Sequence, residues 1–353
     1  MKAAILHQPG TRLEIADVPT PQLKPSSIRV RVLATPILSF THMVVGGQFP
    51  FPLPVPYTPG LCAIGTVEEV AGDVTGLRAG QKVFCSPLIA DRNNADAPER
   101  ILKGWIGMTP NCGHLLEQWK EGTFAEQTVY PIESVTPIDD LGGYADEQLA
   151  CMYYSCIAYG AFLRGDFRAG QSVVVTGATG NLGTASVLVA LALGADKIYA
   201  VGRNAGVLQS LASLDPRRIV AVPLPGAEEE YAATLAQEVE EADLLVDAVG
   251  IVNSSALLEA GMSRLKQRGT AVFLGGVIAP VPVSYLNAIV KELDIKGSSM
   301  YPREAPAQVA RMIRSGLLRL DAFRPVAYPL SRIEEAIAYA SRCRGLEYCV
   351  LKP

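Results

Sequence analysis

The residue spacing with the clearest chemical meaning lies in VVVTGATGNLGTASVLVALALGA (173–195). An apolar, β-branched run enters a glycine turn, and the turn opens directly into a long apolar helical run. That order gathers backbone N–H groups and the positive end of a helix at one point, where a pyrophosphate fits. Ala178, Thr179, Gly180, Asn181, Leu182 and Gly183 are therefore the expected phosphate-binding residues of a dinucleotide site. Ala178 stands where such turns usually carry their first glycine, Gly180 lets the backbone approach the phosphates, and Gly183 lets the helix pack closely. The same pattern also serves as a tight strand-to-helix turn without a ligand; the four strand-like segments that follow it favour the dinucleotide.

Twenty residues after the last glycine (203 − 183 = 20), the next apolar run ends in AVGRN (200–204). An Asp or Glu there would accept from the adenosine ribose of NAD. Arg203 and Asn204, beside the small Gly202, instead offer a cation and room for the 2′-phosphate of NADP. NADPH is the expected cofactor, with a solvated loop arginine as the other reading of Arg203. Gly250, which closes DLLVDAVG, and Gly275, Gly276 and Val277, which follow GTAVFL, complete the expected cofactor contacts.

Counting excludes other chemistry. The three histidines, His7, His42 and His114, assemble no triad or metal cluster, and the seven cysteines are odd in number and include no CxxC pair. Both a secreted disulfide framework and a four-cysteine zinc knuckle are set aside. A net charge of −4 without any run of five like charges gives no reason to expect nucleic acid or an anionic membrane as partner. The apolar run in MKAAILHQPG is shorter than the roughly 7–15 residues of a signal-peptide core. The stretch 185–195 falls short of the roughly 18 residues of a membrane span. A soluble protein of a reducing, cytoplasmic compartment is expected.

Two kinds of structure must position these groups, because 353 residues exceed the roughly 250–300 that one hydrophobic core supports. The first part, to about residue 150, is rich in Gly, Pro and β-branched residues, with runs such as IRVRVLA (28–34), GTVEEVA (65–71) and FAEQTVYP (124–131) between turn signals. It reads as β-rich and barrel-like. From about residue 171, apolar strands alternate with helical segments, the pattern of a parallel sheet with crossover helices. A last strand, DIKGSS (294–299), precedes helical segments at 304–315 and 333–342 and a terminal strand YCVLK (348–352). Segment 87–121, with Trp105, His114 and Trp119, reads as a long connection without repeated structure, of the kind used as a lid or interface.

The stretches VPYTPGLCAIGTVEEVAGDVTGLRAGQKVF (55–84), GTFAEQTVYP (122–131), GATGNLG (177–183), GTAVFLGG (269–276) and the closing YCVLKP carry a resemblance. By them the chain resembles the medium-chain dehydrogenase/reductase superfamily from end to end. The resemblance implies an α/β protein with a GroES-like β-rich catalytic domain (1–154 and 301–353) and a Rossmann doubly wound parallel-sheet domain (155–300). It places the active site in the cleft between them. Zinc-dependent members carry their catalytic ligands at positions that match Leu38, Leu61 with Cys62, and Tyr153 here, and their structural-zinc lobe matches 87–121, where Cys112 is the one cysteine. Of the first set only Cys62 can ligate, and catalytic zinc takes three protein ligands. No metal is expected, and the chain is similar to the zinc-independent, quinone-oxidoreductase-like and enoyl-reductase-like branch. Enoyl reductases of that branch donate a proton from the tyrosine of a G-x-Y-P segment; the matching GGQFP (46–50) has Phe49 there.

Without a metal to polarise a carbonyl, hydride delivery is easiest to a conjugated acceptor whose enolate is held by hydrogen bonds and then protonated. Tyr153 and His42 are the expected catalytic residues, against the bland alternatives of a hydroxyl capping an apolar pocket and a structural histidine. Phe40, Phe49, Tyr57, Leu61 and Cys62 are the expected substrate-binding residues, and their apolarity favours a hydrophobic small molecule. The expected activity is NADPH-dependent reduction of an activated C=C or C=O. A quinone reductase and a catalytically silent NADPH-binding protein are the alternatives. Relatives pair through the last strand of the nucleotide domain, so a homodimer or a dimer-based oligomer is expected.

Overall fold

The structure, a computed structural model, describes all residues except Pro50 and Ala95; Pro50, which ends the GGQFP segment, lies outside the described residues. The chain forms two compact units: Met1–Tyr153 with Leu320–Cys343 and Glu347–Pro353, and Tyr154–Arg319 with Arg344–Leu346. The helix Ala305–Arg314 lies in the second unit, and the chain re-enters the first at Leu320.

In the second unit, parallel strands stand in the order Ile219–Pro223, Lys197–Gly202, Ser172–Thr176, Ala242–Asp247, Leu265–Phe273, Asp294–Gly297. Counted along the sequence this is 3-2-1-4-5-6, the Rossmann order that alternating strands and helices imply. Ser172–Thr176 is buried throughout, as a continuous β-branched run inside a parallel sheet must be. Strand order reverses between Ser172–Thr176 and Ala242–Asp247, so the crevice for a ligand opens at their carboxyl ends. Asp294–Gly297 is the outer strand of the sheet. The helix before it, Tyr285–Lys291, buries none of its residues, and Tyr285 (80%), Leu286 (71%), Ile289 (56%) and Val290 (62%) stand exposed.

In the first unit a sheet runs Val135–Pro137, Lys82–Cys85, Ala63–Val70, Ser27–Ile37, Glu347–Lys352, Arg324–Pro329, and Gln127–Pro131 also pairs with Ser27–Ile37. The long strand Ser27–Ile37 breaks register against Ala63–Val70 at Arg29/Val30 and Val32/Ala34, bulges that bend a sheet toward closure. Ile28, Val30 and Val32 point into a core with Val67, Val83 and Tyr130. The terminal strand completes the sheet by pairing Leu351 with Thr35 and Cys349 with Ile37.

Segment 87–121, read from the sequence as a long connection without repeated structure, has elements of its own. It contains three short antiparallel strands, Leu88–Ala90, Arg100–Leu102 and Ile106–Gly107, and a helix, Gly113–Trp119. Ile89, Ile101, Cys112, Leu115, Leu116 and Trp119 form its own apolar core with Val129. Strands of two or three residues are too short to show periodicity, which is why the sequence pattern misses them.

Candidate active site

The strand Ser172–Thr176 ends in Gly177, whose φ of +68° turns the chain away from the sheet; a Cβ there would stand 2.7 Å from the Ala248 carbonyl oxygen. Gly177 is not among the expected site residues, although its place directly after the strand is the signal for it. Ala178 takes the expected turn position, donating its N–H to Val201 at 2.9 Å and accepting from the Thr184 hydroxyl at 3.0 Å. Gly180 is the N-cap of the helix Asn181–Ala192, so the N–H groups of the first helical turn lack intrahelical acceptors at the carboxyl end of the sheet. Gly183 packs so closely on the Gly177 carbonyl that no side chain fits. Thr179 is pressed between two glycines. Gly202 leaves room where a Cβ would lie 2.6 Å from Thr179 Cγ2, and Gly345 donates its N–H to the Thr179 carbonyl at 2.9 Å. Gly345 also accepts from Asn181 Nδ2 at 3.0 Å, so Arg344–Leu346 closes one side of the turn; nothing local in RCRGLE signals this.

Arg203 and Asn204 follow the strand Lys197–Gly202 and are exposed, and the Asn204 side chain caps the helix Ala205–Ala212 by accepting from Val207 N at 3.1 Å. The other expected cofactor residues meet at the next strand ends. Gly276 donates to the Val249 carbonyl at 2.8 Å, Val277 bridges to Val252, and Gly275 lies against Val249 where no Cβ fits, with Gly250 exposed beside them. Below this rim Asp247 is buried, which raises its pKa; the opposing influences are the Thr176 hydroxyl and the Val249 backbone N–H, which donate to its carboxylate.

In the first unit the structure brings Phe40 and Phe49 together as a stacked pair, 5.6 Å between centroids. Trp105 adds an edge contact to Phe40 at 6.3 Å, and Phe51 tilts on Phe49 at 6.5 Å. Trp105 was not among the expected site residues, since only the folding of 87–121 carries it there. Leu61 and Cys62 are buried, and Tyr130 Oη donates to the Leu61 carbonyl at 2.6 Å. Tyr57 packs in the core with Leu6, Ile37, Phe124 and Ile333. Its hydroxyl has no hydrogen-bond partner among the described residues, and burial, reinforced by the Glu121 charge, raises its pKa. His42 is exposed on the short helix Thr41–Val45, whereas Tyr153 is buried near the start of the helix Met152–Arg164.

Residues 24–140 match the alcohol dehydrogenase GroES-like domain, and residues 182–315 match the family described as zinc-binding dehydrogenase. The chain is 26% identical over 379 residues to an alcohol dehydrogenase of Cupriavidus necator, covering 100% of this chain and 99% of that protein. It is also 26% identical over 330 residues to an acryloyl-coenzyme A reductase of Sulfurisphaera tokodaii, covering 90% of each. Among solved structures, a thermostable alcohol dehydrogenase from Pyrobaculum aerophilum superposes with a TM-score of 0.79 at 21% identity, covering 100% of this chain and 99% of that one. One matched family is described as zinc-binding, and the positions that the resemblance matches to catalytic zinc ligands hold Leu38, Leu61 with Cys62, and Tyr153. Among the described residues no three His, Cys, Asp or Glu side chains converge as a ligand set. No helix among the described residues is long and apolar enough to cross a membrane. A GroES-like β domain followed by a Rossmann sheet, matched in that order by two family models, indicates the medium-chain dehydrogenase/reductase superfamily of nucleotide-binding oxidoreductases.

Proposed function

We propose that the protein is an NADPH-dependent, zinc-independent reductase of an activated C=C or C=O in an apolar small molecule. What supports this reading is Leu38, Leu61 with Cys62, and Tyr153 at the positions that the resemblance matches to zinc ligands, together with a stacked aromatic pair, Phe40 and Phe49. Bound NADPH would supply the hydride. The turn Ala178–Gly183 would hold the pyrophosphate on backbone N–H groups, Arg203 would meet the 2′-phosphate, and Gly250 with Gly275–Val277 would leave room for the dinucleotide. Phe40, Phe49, Leu61 and Cys62 would exclude water around the acceptor, which strengthens hydrogen bonds to the developing enolate. Tyr153, with His42 as the other candidate, would return the proton. The similarity to an acryloyl-coenzyme A reductase accords with a conjugated acceptor.

Phe49 in place of the donor tyrosine favours one second reading, a catalytically silent NADPH-binding protein. Stopped-flow oxidation of NADPH across an enone, quinone and aldehyde panel separates the two, with the enones expected to react fastest. Activity should persist in chelator with less than stoichiometric zinc in the purified protein. Activity lost to EDTA and restored by zinc would refute the metal-independent reading.

A further inference from the structure

Lys103 is only 1% exposed, although an ammonium is among the groups least tolerant of burial. It follows the strand Arg100–Leu102 and precedes Gly104, whose φ of +65° and close approach to Gly60 and Gly122 turn the chain so that Lys103 enters the core. Its Nζ donates to the Glu121 carbonyl and, at 2.7 Å, to Thr128 Oγ1, and it lies 4.4 Å from the centroid of the Tyr130 ring. Tyr130 in turn donates to the Leu61 carbonyl. The charged and titratable groups facing the amine are the Glu121 carboxylate, the Cys85 thiol, Lys24 and Tyr130. Burial pushes Lys103 down to about 7, against the pull of Glu121 and Cys85. A methionine would fill the same space without desolvating a charge, so the amine is explained by the groups it holds rather than by its volume.

We propose that Lys103 is a positioning residue: its internal amine fastens the 87–121 lobe to the strand Gln127–Pro131 and, through the Tyr130 hydroxyl, sets the backbone of Leu61 and Cys62. Its relevance to catalysis rests on the assignment of Leu61 and Cys62 to the substrate. The lobe that carries a structural metal in zinc-bearing relatives is here held by an amine and an apolar core.

The test uses the full chain. Lys103→Met keeps the length of the side chain and removes its donors and charge; Tyr130→Phe keeps the ring and removes the hydroxyl that reaches Leu61. Amide hydrogen exchange over residues 57–64 is expected to speed up by roughly tenfold or more in each variant, with residues 172–202 unchanged. The double variant should exchange no faster than the more affected single one, since both act on one path. Faster exchange confined to 87–121 in Lys103→Met, or an unaltered 57–64 in Tyr130→Phe, overturns the proposal. Should Lys103→Met fail to fold, Tyr130→Phe decides by the same criterion. With a substrate that turns over, both variants should raise KM several-fold at nearly constant kcat and constant NADPH affinity. Wild-type protein that reduces no acceptor overturns the proposed function and leaves the exchange result to judge Lys103 by itself.

Discussion

The Thr176 hydroxyl donates to the Asp247 carboxylate at 2.6 Å, joining the last residues of two neighbouring parallel strands across the point where strand order reverses. Both residues are buried, at 0% and 2% exposed, directly beneath Gly177 and the 248–250 turn that follow them in the chain. Thr176→Val should cost about 1–3 kcal/mol of stability, because it leaves a buried carboxylate short of a donor. Burial holds the Asp247 pKa above its ordinary value, so the folded state keeps this proton to higher pH than the unfolded chain does. The cost of ionising it is absent well below about pH 4 and grows as pH rises through the window above that value. Urea unfolding of Asp247→Asn against wild type should therefore favour the variant increasingly from pH 4 upward. A difference that is flat with pH would mean that Asp247 titrates normally.

Arg203 sets cofactor choice in the proposed reading. A hydrogen bond to a charged partner contributes about 1.5–3 kcal/mol, so Arg203→Ala should weaken NADPH by roughly ten- to a hundredfold and leave NADH nearly unchanged. The preference should shrink with added salt, since Arg203 is exposed and screening acts over about 8–10 Å at physiological ionic strength. Fluorescence titration of both cofactors is the measurement. Equal losses would assign Arg203 to the fold alone.

In the proposed reading Tyr153 donates the proton, because Phe49 stands where the resemblance puts the tyrosine of related reductases. Tyr153→Phe should lower kcat by roughly 10²–10⁴ with NADPH affinity unchanged. Single-turnover kinetics would show whether the loss lies in the chemical step. Unaltered turnover transfers the role to His42, for which His42→Gln is the next variant.

The unburied helix Tyr285–Lys291 and the outer strand Asp294–Gly297 form an apolar, unpaired margin of the nucleotide domain. Exposed margins of this kind are usually covered by pairing with a second copy. Light scattering at micromolar concentration should report a dimer or a multiple of it, and Leu286→Glu with Ile289→Glu should yield monomers with an intact circular-dichroism spectrum. A wild-type mass equal to one chain would end this prediction.

Much of the protein is legible in the order of its residues, because the signals concerned are local. The β-branched run of 173–176, the glycines that follow and the helical run from Asn181 are neighbours in sequence, and backbone preference and periodicity alone place them as strand, turn and helix. Leu38, Leu61 and Tyr153, which the resemblance matches to zinc-ligand positions, are likewise read from identity at single sites. Tertiary structure decided what depends on packing between distant segments. It sent Tyr57 into a core with Ile333, brought Trp105 to Phe40, and joined Asn181 to Gly345 across 164 residues. It also buried Lys103, a residue whose type alone indicates the surface. Its environment was created only when the lobe, the strand Gln127–Pro131 and the glycine crossing at Gly60, Gly104 and Gly122 closed around it. Burial and hydrogen-bond partners are properties of those long-range contacts, and no window along the chain contains them.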